Sequence, residues 1–136
     1  MDFFKSAGEG LGVDLPFLFE RLIFSSLSNK IILLRVDFNV SLNPNNTIAD
    51  DARIKQSLPT IEYLLKHHNK LILMAHLGEP EKRNAADSLA RVAKRLHEYL
   101  PHNKVTLVDD FMKDTKPFAE QKPEEIILLE NIRFYP

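Results

Sequence analysis

The chain has 136 residues, no cysteine, a formal net charge of -1 and a mean hydropathy of -0.21. This length suits one domain with its own core, and the 44% hydrophobic and 27% charged content is typical of a globular protein. The near-neutral charge argues against nucleic acid or a membrane surface as a partner. The lack of cysteine excludes disulfides and thiolate metal sites.

The first 29 residues are interpreted as a lead-in segment that contains one amphipathic helix. Acidic residues interrupt the N-terminus where a secretory signal would be apolar. The apolar stretch Leu15–Phe24 contains Glu20 and Arg21 and is too short to span a bilayer. These features fit a cytoplasmic protein.

Four short apolar runs are the predicted strands: Ile31–Val36, Leu71–Met74, Val105–Val108 and Ile126–Leu129. Each run is nearly continuous rather than alternating, which is typical of strands buried on both faces of a parallel sheet. After the first run, the segment Asn43–Asn46 predicts a turn or loop.

Helical patterns lie between these runs. The first has apolar residues at spacings of four, three and four, namely Ile54, Leu58, Ile61 and Leu65. Pro59 falls inside this pattern, so the regular helix is expected to begin near it or to bend there.

The second helical pattern carries one apolar stripe, made of Leu89, Val92, Ala93, Leu96, Tyr99 and Leu100. Asp87 or Ser88 is its expected cap, and Pro101 is its expected stop. A third, weaker helix is predicted to hold Phe111, Met112 and Phe118 before a turn at Pro123.

The alternation of strands and helices predicts an α/β fold: a doubly wound, Rossmann-like parallel sheet with helices on both faces. The chain stops a few residues past the fourth predicted strand, with no helix after it. We therefore expect a truncated domain.

Polar residues follow every predicted strand, at the edge where open α/β sheets bind ligands. They are Asp37 and Asn39, His76 and Gly78, Asp109 and Asp110, and Glu130, Asn131 and Arg133. Arg53, near the start of the first helix, is expected on the same side. Arginine forks and backbone N–H groups suit phosphate or carboxylate, so the pattern predicts a binding site for a small anion.

Each of these residues also has a purely structural interpretation. Asp37 and Asn39 would close the loop after a strand, and the arginines would be surface residues. His76 would be a hydrogen-bonded core histidine, and the Asp109–Asp110 pair would cap a helix. There is no Walker A loop in the sequence.

Four sequence strings then resemble one known family, the phosphoglycerate kinases. They are R-V-D-F-N-V at Arg35–Val40, D-D-A-R-I at Asp50–Ile54, M-A-H-L-G-E-P at Met74–Pro80 and L-L-E-N-I-R-F at Leu128–Phe134. They occur in the family's order and at similar spacing from about residue 30 onward. The resemblance implies that residues 30–136 are part of the N-terminal, 3-phosphoglycerate-binding domain, and that the nucleotide-binding C-terminal domain is absent.

The resemblance further implies a glycolytic enzyme that moves a phosphoryl group reversibly between 1,3-bisphosphoglycerate and ADP. The Mg-ATP or Mg-ADP would be bound by the absent domain, so this chain alone is expected not to turn over. No metal site is expected in it, and the full-length protein is expected to be a cytoplasmic monomer.

The family's functional residues transfer by motif position. Arg53 would be catalytic, reaching the transferring phosphoryl group, while Asp37 and Asn39 would orient the carboxylate and hydroxyl end of the substrate. His76 and Arg133 would join the basic patch around it. The pocket would also be lined or shaped by Phe38, Leu77 and Gly78.

One residue departs from the family pattern. Glu79 stands where the family normally has an arginine that helps to hold the non-transferred phosphate. The change from cation to anion predicts a loss of affinity by orders of magnitude, unless Lys82 or Arg83 compensates.

Two alternatives remain open from the sequence. In the first, the chain is a degenerate, non-catalytic kinase lobe that binds anions or proteins. In the second, it is a receiver-like domain that binds magnesium through Asp37, Asp109 and Asp110, and this alternative fits the strand order but not the four strings.

Overall fold

A computed structural model describes residues 27–135 as a parallel four-stranded sheet with helices and a small separate hairpin. The elements are β1 (Ile31–Arg35), β2 (Ser41–Leu42), β3 (Ile48–Asp50), α1 (Ala52–Lys66), β4 (Lys70–Met74), α2 (Ala90–Tyr99), β5 (Val105–Val108), α3 (Lys116–Glu120) and β6 (Ile126–Leu129). A 3-10 turn, Ile132–Phe134, follows β6. The predicted lead-in helix lies outside the described residues.

The strand order is β1-β4-β6-β5, and all three neighbouring pairs are parallel. The chain moves in one direction across the sheet from β1 to β4 to β5, and then steps back to β6. Right-handed crossovers therefore place α1 and α2 on one face and α3 on the other. The predicted α/β fold, with a parallel sheet and helices, is confirmed.

The larger core lies under α1 and α2. Helix residues such as Ile61 and Leu96 pack there against Leu73 and Leu128, and all four side chains are fully buried. On the opposite face, Phe118 of α3 packs against a smaller cluster that includes Ile127. β6 is buried at every position because it lies inside the sheet between these two layers.

The prediction of burial on both faces is wrong for β1. Ile32 and Leu34 point into the larger core, but Ile31 is 68% exposed and Leu33 is 59% exposed. β1 is an edge strand of the described sheet, and the apolar cluster beside α3 on this face includes residues of β4, β5 and β6 but none of β1. A run of apolar residues therefore marks a strand without showing which faces are covered.

Two helix predictions also need correction. α1 begins at Ala52 and passes through Pro59, so it does not begin near the proline. Phe111 and Met112 lie in a turn rather than in the third helix, which spans only Lys116–Glu120. No helix among residues 27–135 is long and apolar enough to cross a bilayer.

The turn predicted at Asn43–Asn46 is present, but the hairpin around it was not predicted. Asn46 has a φ of 64° and donates its N–H to the Asn43 carbonyl at 2.8 Å. β2 and β3 pair antiparallel on either side of this turn. These strands have only two and three residues, too few for a periodic apolar signal.

Candidate functional site

The segments that follow β1, β4, β5 and β6 lie along one edge of the sheet, because all four strands are parallel. The register pairs Arg35 with Met74 and Val108 with Leu129 at the carboxyl ends of the strands. We use the name rim for the residues of this edge that could meet a ligand: Asp37, Asn39, Arg53, His76, Gly78, Glu79 and Arg133.

Arg53 is held at the rim by the loop after β1. Its guanidinium donates to Asp37 Oδ1 at 3.2 Å and to the Asn39 carbonyl at 2.8 Å. Asp37 Oδ1 also accepts the Asn39 N–H at 3.1 Å, so this carboxylate both closes the loop and pairs with the arginine. The Arg53 side chain remains half-exposed and can still reach a ligand.

Asn39 joins the loop after β1 to the loop after β4. Its Oδ1 accepts the Gly78 N–H at 2.9 Å. Gly78 has a φ of +64°, and a Cβ atom there would lie 2.6 Å from Asp87 Oδ1. Glycine is therefore required both by the backbone conformation and by the closeness of Asp87.

Arg133 is positioned by the 3-10 turn after β6. The Asn131 side chain accepts the Arg133 N–H at 3.0 Å, which fixes the start of this turn. The Arg133 guanidinium then forms an ion pair and hydrogen bond with the carboxylate of Glu79. This pairing of two rim residues was not predicted from the sequence.

The remaining predicted site residues differ in how far their side chains are exposed at the rim. Phe38 and Leu77 are 0% and 2% exposed and belong to the larger core, so they shape the rim from below rather than offer side chains to a ligand. His76 is half-buried on the segment leading to Gly78 and is not a core histidine.

Glu130 and Asn131 are buried supports beneath the rim. The Glu130 carboxylate accepts the Ser88 hydroxyl at 2.7 Å and the Leu89 N–H at 2.7 Å, and so binds the start of α2. Asn131 Nδ2 donates to the carbonyls of Leu77 at 2.7 Å and Asp87 at 2.9 Å. The only sequence signal for this role was two polar residues directly after a buried strand.

Arg83 forms its contacts at the β5 side of the sheet edge rather than with a residue of the rim. It donates to Asp109 Oδ1 at 2.6 Å and to the Tyr135 hydroxyl at 2.9 Å, and it stacks on Phe134 at 5.1 Å. Burial raises the pKa of Tyr135, whose hydroxyl donates to Asp110 at 3.1 Å. Arg83 is therefore already paired with Asp109 and Tyr135 and has no hydrogen bond or ion pair with Glu79, and the two aspartates do not cap a helix.

The magnesium alternative lacks a suitable arrangement of ligands. Within residues 27–135, no group of three or more His, Asp or Glu side chains could hold a metal ion. Gly78 is also the single glycine of this part of the chain, so these residues form no glycine-rich phosphate loop for a nucleotide.

A cavity of about 230 Å³ lies away from the rim, between α3 and the beginnings of β5 and β6. Lysines and carboxylates both line it, among them Lys104, Lys116 and Glu120, and it includes no rim residue. Its mixed charges indicate no particular ligand, so the rim remains the better candidate site.

A parallel α/β sheet with two arginines beyond its strand ends defines a domain suited to a small anion. Residues 24–136 match the family model described as Phosphoglycerate kinase. This match covers most of the chain, which therefore belongs to the phosphoglycerate kinase family. The receiver-like alternative is thereby excluded.

Individual relatives support this assignment. The chain is 45% identical over 111 residues to the phosphoglycerate kinase of Aquifex aeolicus, and 47% identical over 115 residues to that of Chloroflexus aggregans. Each alignment covers 80% of this chain but 28% of the relative. The chain thus spans somewhat more than a quarter of the length of these relatives.

Solved structures give the same result. The phosphoglycerate kinase of Coxiella burnetii superimposes with a TM-score of 0.72 at 34% identity, covering 82% of this chain and 27% of that one. The enzyme from Pyrococcus horikoshii gives a TM-score of 0.69 at 33% identity, with coverage of 81% and 27%.

Proposed function

We propose that this chain supplies the 3-phosphoglycerate-binding part of a phosphoglycerate kinase, which moves a phosphoryl group reversibly between 1,3-bisphosphoglycerate and ADP. The observation that carries the proposal is the connection between loops along the rim. Arg53 is hydrogen-bonded to Asp37, and Gly78 is hydrogen-bonded to Asn39. Glu79, which follows Gly78, forms an ion pair with Arg133. All four family-like strings thus contribute to one edge of the sheet.

The chemistry of these residues suits a phosphorylated hydroxy acid. Arg53 would stabilise the charge on the transferring phosphoryl group, an electrostatic role that requires a fixed and permanently charged side chain. Asp37 and Asn39 would orient the carboxylate and hydroxyl end. Arg133, with His76 when protonated, would attract the phosphate at the other end.

The nucleotide, bound with magnesium, would supply the phosphoryl donor or acceptor. Residues 27–135 have no glycine-rich loop for it, so in this proposal another part of a longer protein holds it. A cytoplasmic location, a place in glycolysis and a monomeric full-length protein belong to the same proposal.

Titration of 3-phosphoglycerate into the isotopically labelled 136-residue chain, followed by amide NMR, tests the proposal. We expect shifts at the rim, and R53A should weaken binding by about tenfold or more, because a charge-assisted hydrogen bond is lost. K66A is the matched control: it removes a cation from the last turn of α1, whereas Arg53 lies in the first. Shifts away from the rim, or equal affinity of R53A and the unaltered chain, would contradict it.

A non-catalytic anion-binding or protein-interaction module is the second candidate. It is favoured by the observation that both rim arginines, Arg53 and Arg133, already have carboxylate partners. It predicts a folded chain with dispersed amide signals that do not respond to 3-phosphoglycerate.

A further inference from the structure

The side chain of Glu79 places a carboxylate on the rim, beside Arg133. The Glu79 carboxylate pairs with the Arg133 guanidinium, and the side chains are 83% and 39% exposed respectively. A ligand that approaches Arg133 therefore meets a cation that is already paired. It also meets the negative charge of the carboxylate beside it.

The second ion pair of the rim is built differently. Asp37 holds Arg53 but also accepts the Asn39 N–H, so this carboxylate is part of the loop structure. The Glu79 carboxylate makes its one hydrogen bond within residues 27–135 to Arg133. A ligand can displace this carboxylate without breaking any other contact of the loop.

The backbone of Glu79 is constrained on both sides. Gly78 has a φ of +64° and its N–H is bound by the Asn39 side chain, while Pro80 disfavours helical geometry at the residue before it. The side chain is thus presented beside Arg133 by a defined turn, although the carboxylate itself is solvent-exposed.

We propose that Glu79 is a specificity-determining residue of the rim, whose carboxylate is the internal counter-ion that an anionic ligand must displace from Arg133. The inference rests on the proposed function, because it takes the rim to be an anion-binding site. Ligands whose anionic group contacts Arg133 are weakened, whereas ligands that do not reach it are unaffected. The exposure of the pair limits the effect to a modest one.

Inorganic phosphate is the probe, titrated at constant ionic strength into the labelled 136-residue chain and its variants. We expect E79Q to bind phosphate roughly three- to tenfold more tightly, because it loses both the competing ion pair and the nearby repulsion. Amide signals of Gly78 and the Arg133 side-chain Nε–H report on this site. In an R133A background, E79Q should give no such gain.

E81Q is the matched control, because Glu81 is an exposed glutamate of the same loop with no ion pair in the described residues. It changes the net charge equally and should leave phosphate affinity within twofold of the unaltered chain. Equal affinity of E79Q and the unaltered chain, an equal gain in E81Q, or no phosphate response in any protein would overturn the inference.

A parallel titration with 3-phosphoglycerate separates this inference from the proposed function. If E79Q gains phosphate affinity but 3-phosphoglycerate binds E79Q no more tightly than phosphate does, the counter-ion role stands and the proposed substrate is wrong. If 3-phosphoglycerate binds the unaltered chain and E79Q equally, the proposed substrate stands and the counter-ion role is wrong.

Discussion

At the scale of single residues, Gly78 determines how two of the rim loops meet. Its N–H is used by Asn39, its φ is +64°, and Asp87 lies against the position of its missing side chain. The Asp87 carboxylate is itself held, because Asn84 Nδ2 donates to its Oδ2 at 2.9 Å. A side chain at position 78 would therefore meet a group that cannot move away easily.

We predict that G78A lowers the free energy of unfolding by about 1–3 kcal/mol, from the left-handed backbone and the close contact together. Urea unfolding followed by circular dichroism measures it. E81A, at an exposed position of the same loop, should change stability by less than about 0.5 kcal/mol. A G78A chain as stable as the unaltered one would show that glycine is not required there.

At the scale of secondary structure elements, α1 and α2 are joined by a polar network at one side. Asp51, just before α1, accepts hydrogen bonds from Tyr99 and from Arg95 of α2, the latter at 2.7 Å. Lys55 lies 3.7 Å from the same carboxylate. The Asp51 side chain is 14% exposed, so this network is better shielded from solvent than the ion pairs of the rim.

This network makes stability depend on pH. The hydrogen bond from Tyr99, then that from Arg95, hold the pKa of Asp51 below its ordinary value of 3.8. Because the pKa of Asp51 is lower in the folded state than in the unfolded state, its contribution to stability is complete at a pH above the unfolded-state pKa. This contribution is lost as the pH falls through the folded-state pKa.

We predict that D51N lowers the free energy of unfolding by about 1 kcal/mol at pH 7. The difference from the unaltered chain should shrink as the pH falls below about 4, where the carboxylate becomes protonated. Urea unfolding across this pH range measures both effects. D114N, at an exposed aspartate, is the control, and a D51N deficit that persists unchanged at low pH would contradict the charge-based account.

At the scale of the whole molecule, the four parallel strands bring separate stretches of sequence to one edge. The sheet order puts β6 next to β4, so Arg133 comes close to Glu79 although 54 positions separate them. In the proposed function, the described residues supply one side of the substrate site, and they include no glycine-rich loop suited to a nucleotide.

We therefore predict that the purified 136-residue chain does not catalyse phosphoryl transfer. A coupled assay with 3-phosphoglycerate and Mg-ATP should give the background rate, with a full-length phosphoglycerate kinase as the positive control. Turnover above background that R53A abolishes would contradict this prediction.

The sequence by itself determined the four strands of the parallel sheet, the two long helices and the family, but not the β2–β3 hairpin. Apolar runs and helical spacing are local patterns, and so they located β5 and β6 at their observed bounds. The four motif strings specified the family because they depend on residue identity and order. They also named Arg53 and Arg133 as rim residues, whose roles in binding remain predictions.

Only the tertiary structure decided which charges meet and which side chains are covered. The pairing of Glu79 with Arg133, the commitment of Arg83 to Asp109 and the burial of Phe38 depend on strand order and loop geometry. The exposure of Leu33 on the edge strand has the same origin. These features depend on residues that are far apart in the chain, so no local pattern of polarity or spacing predicts them.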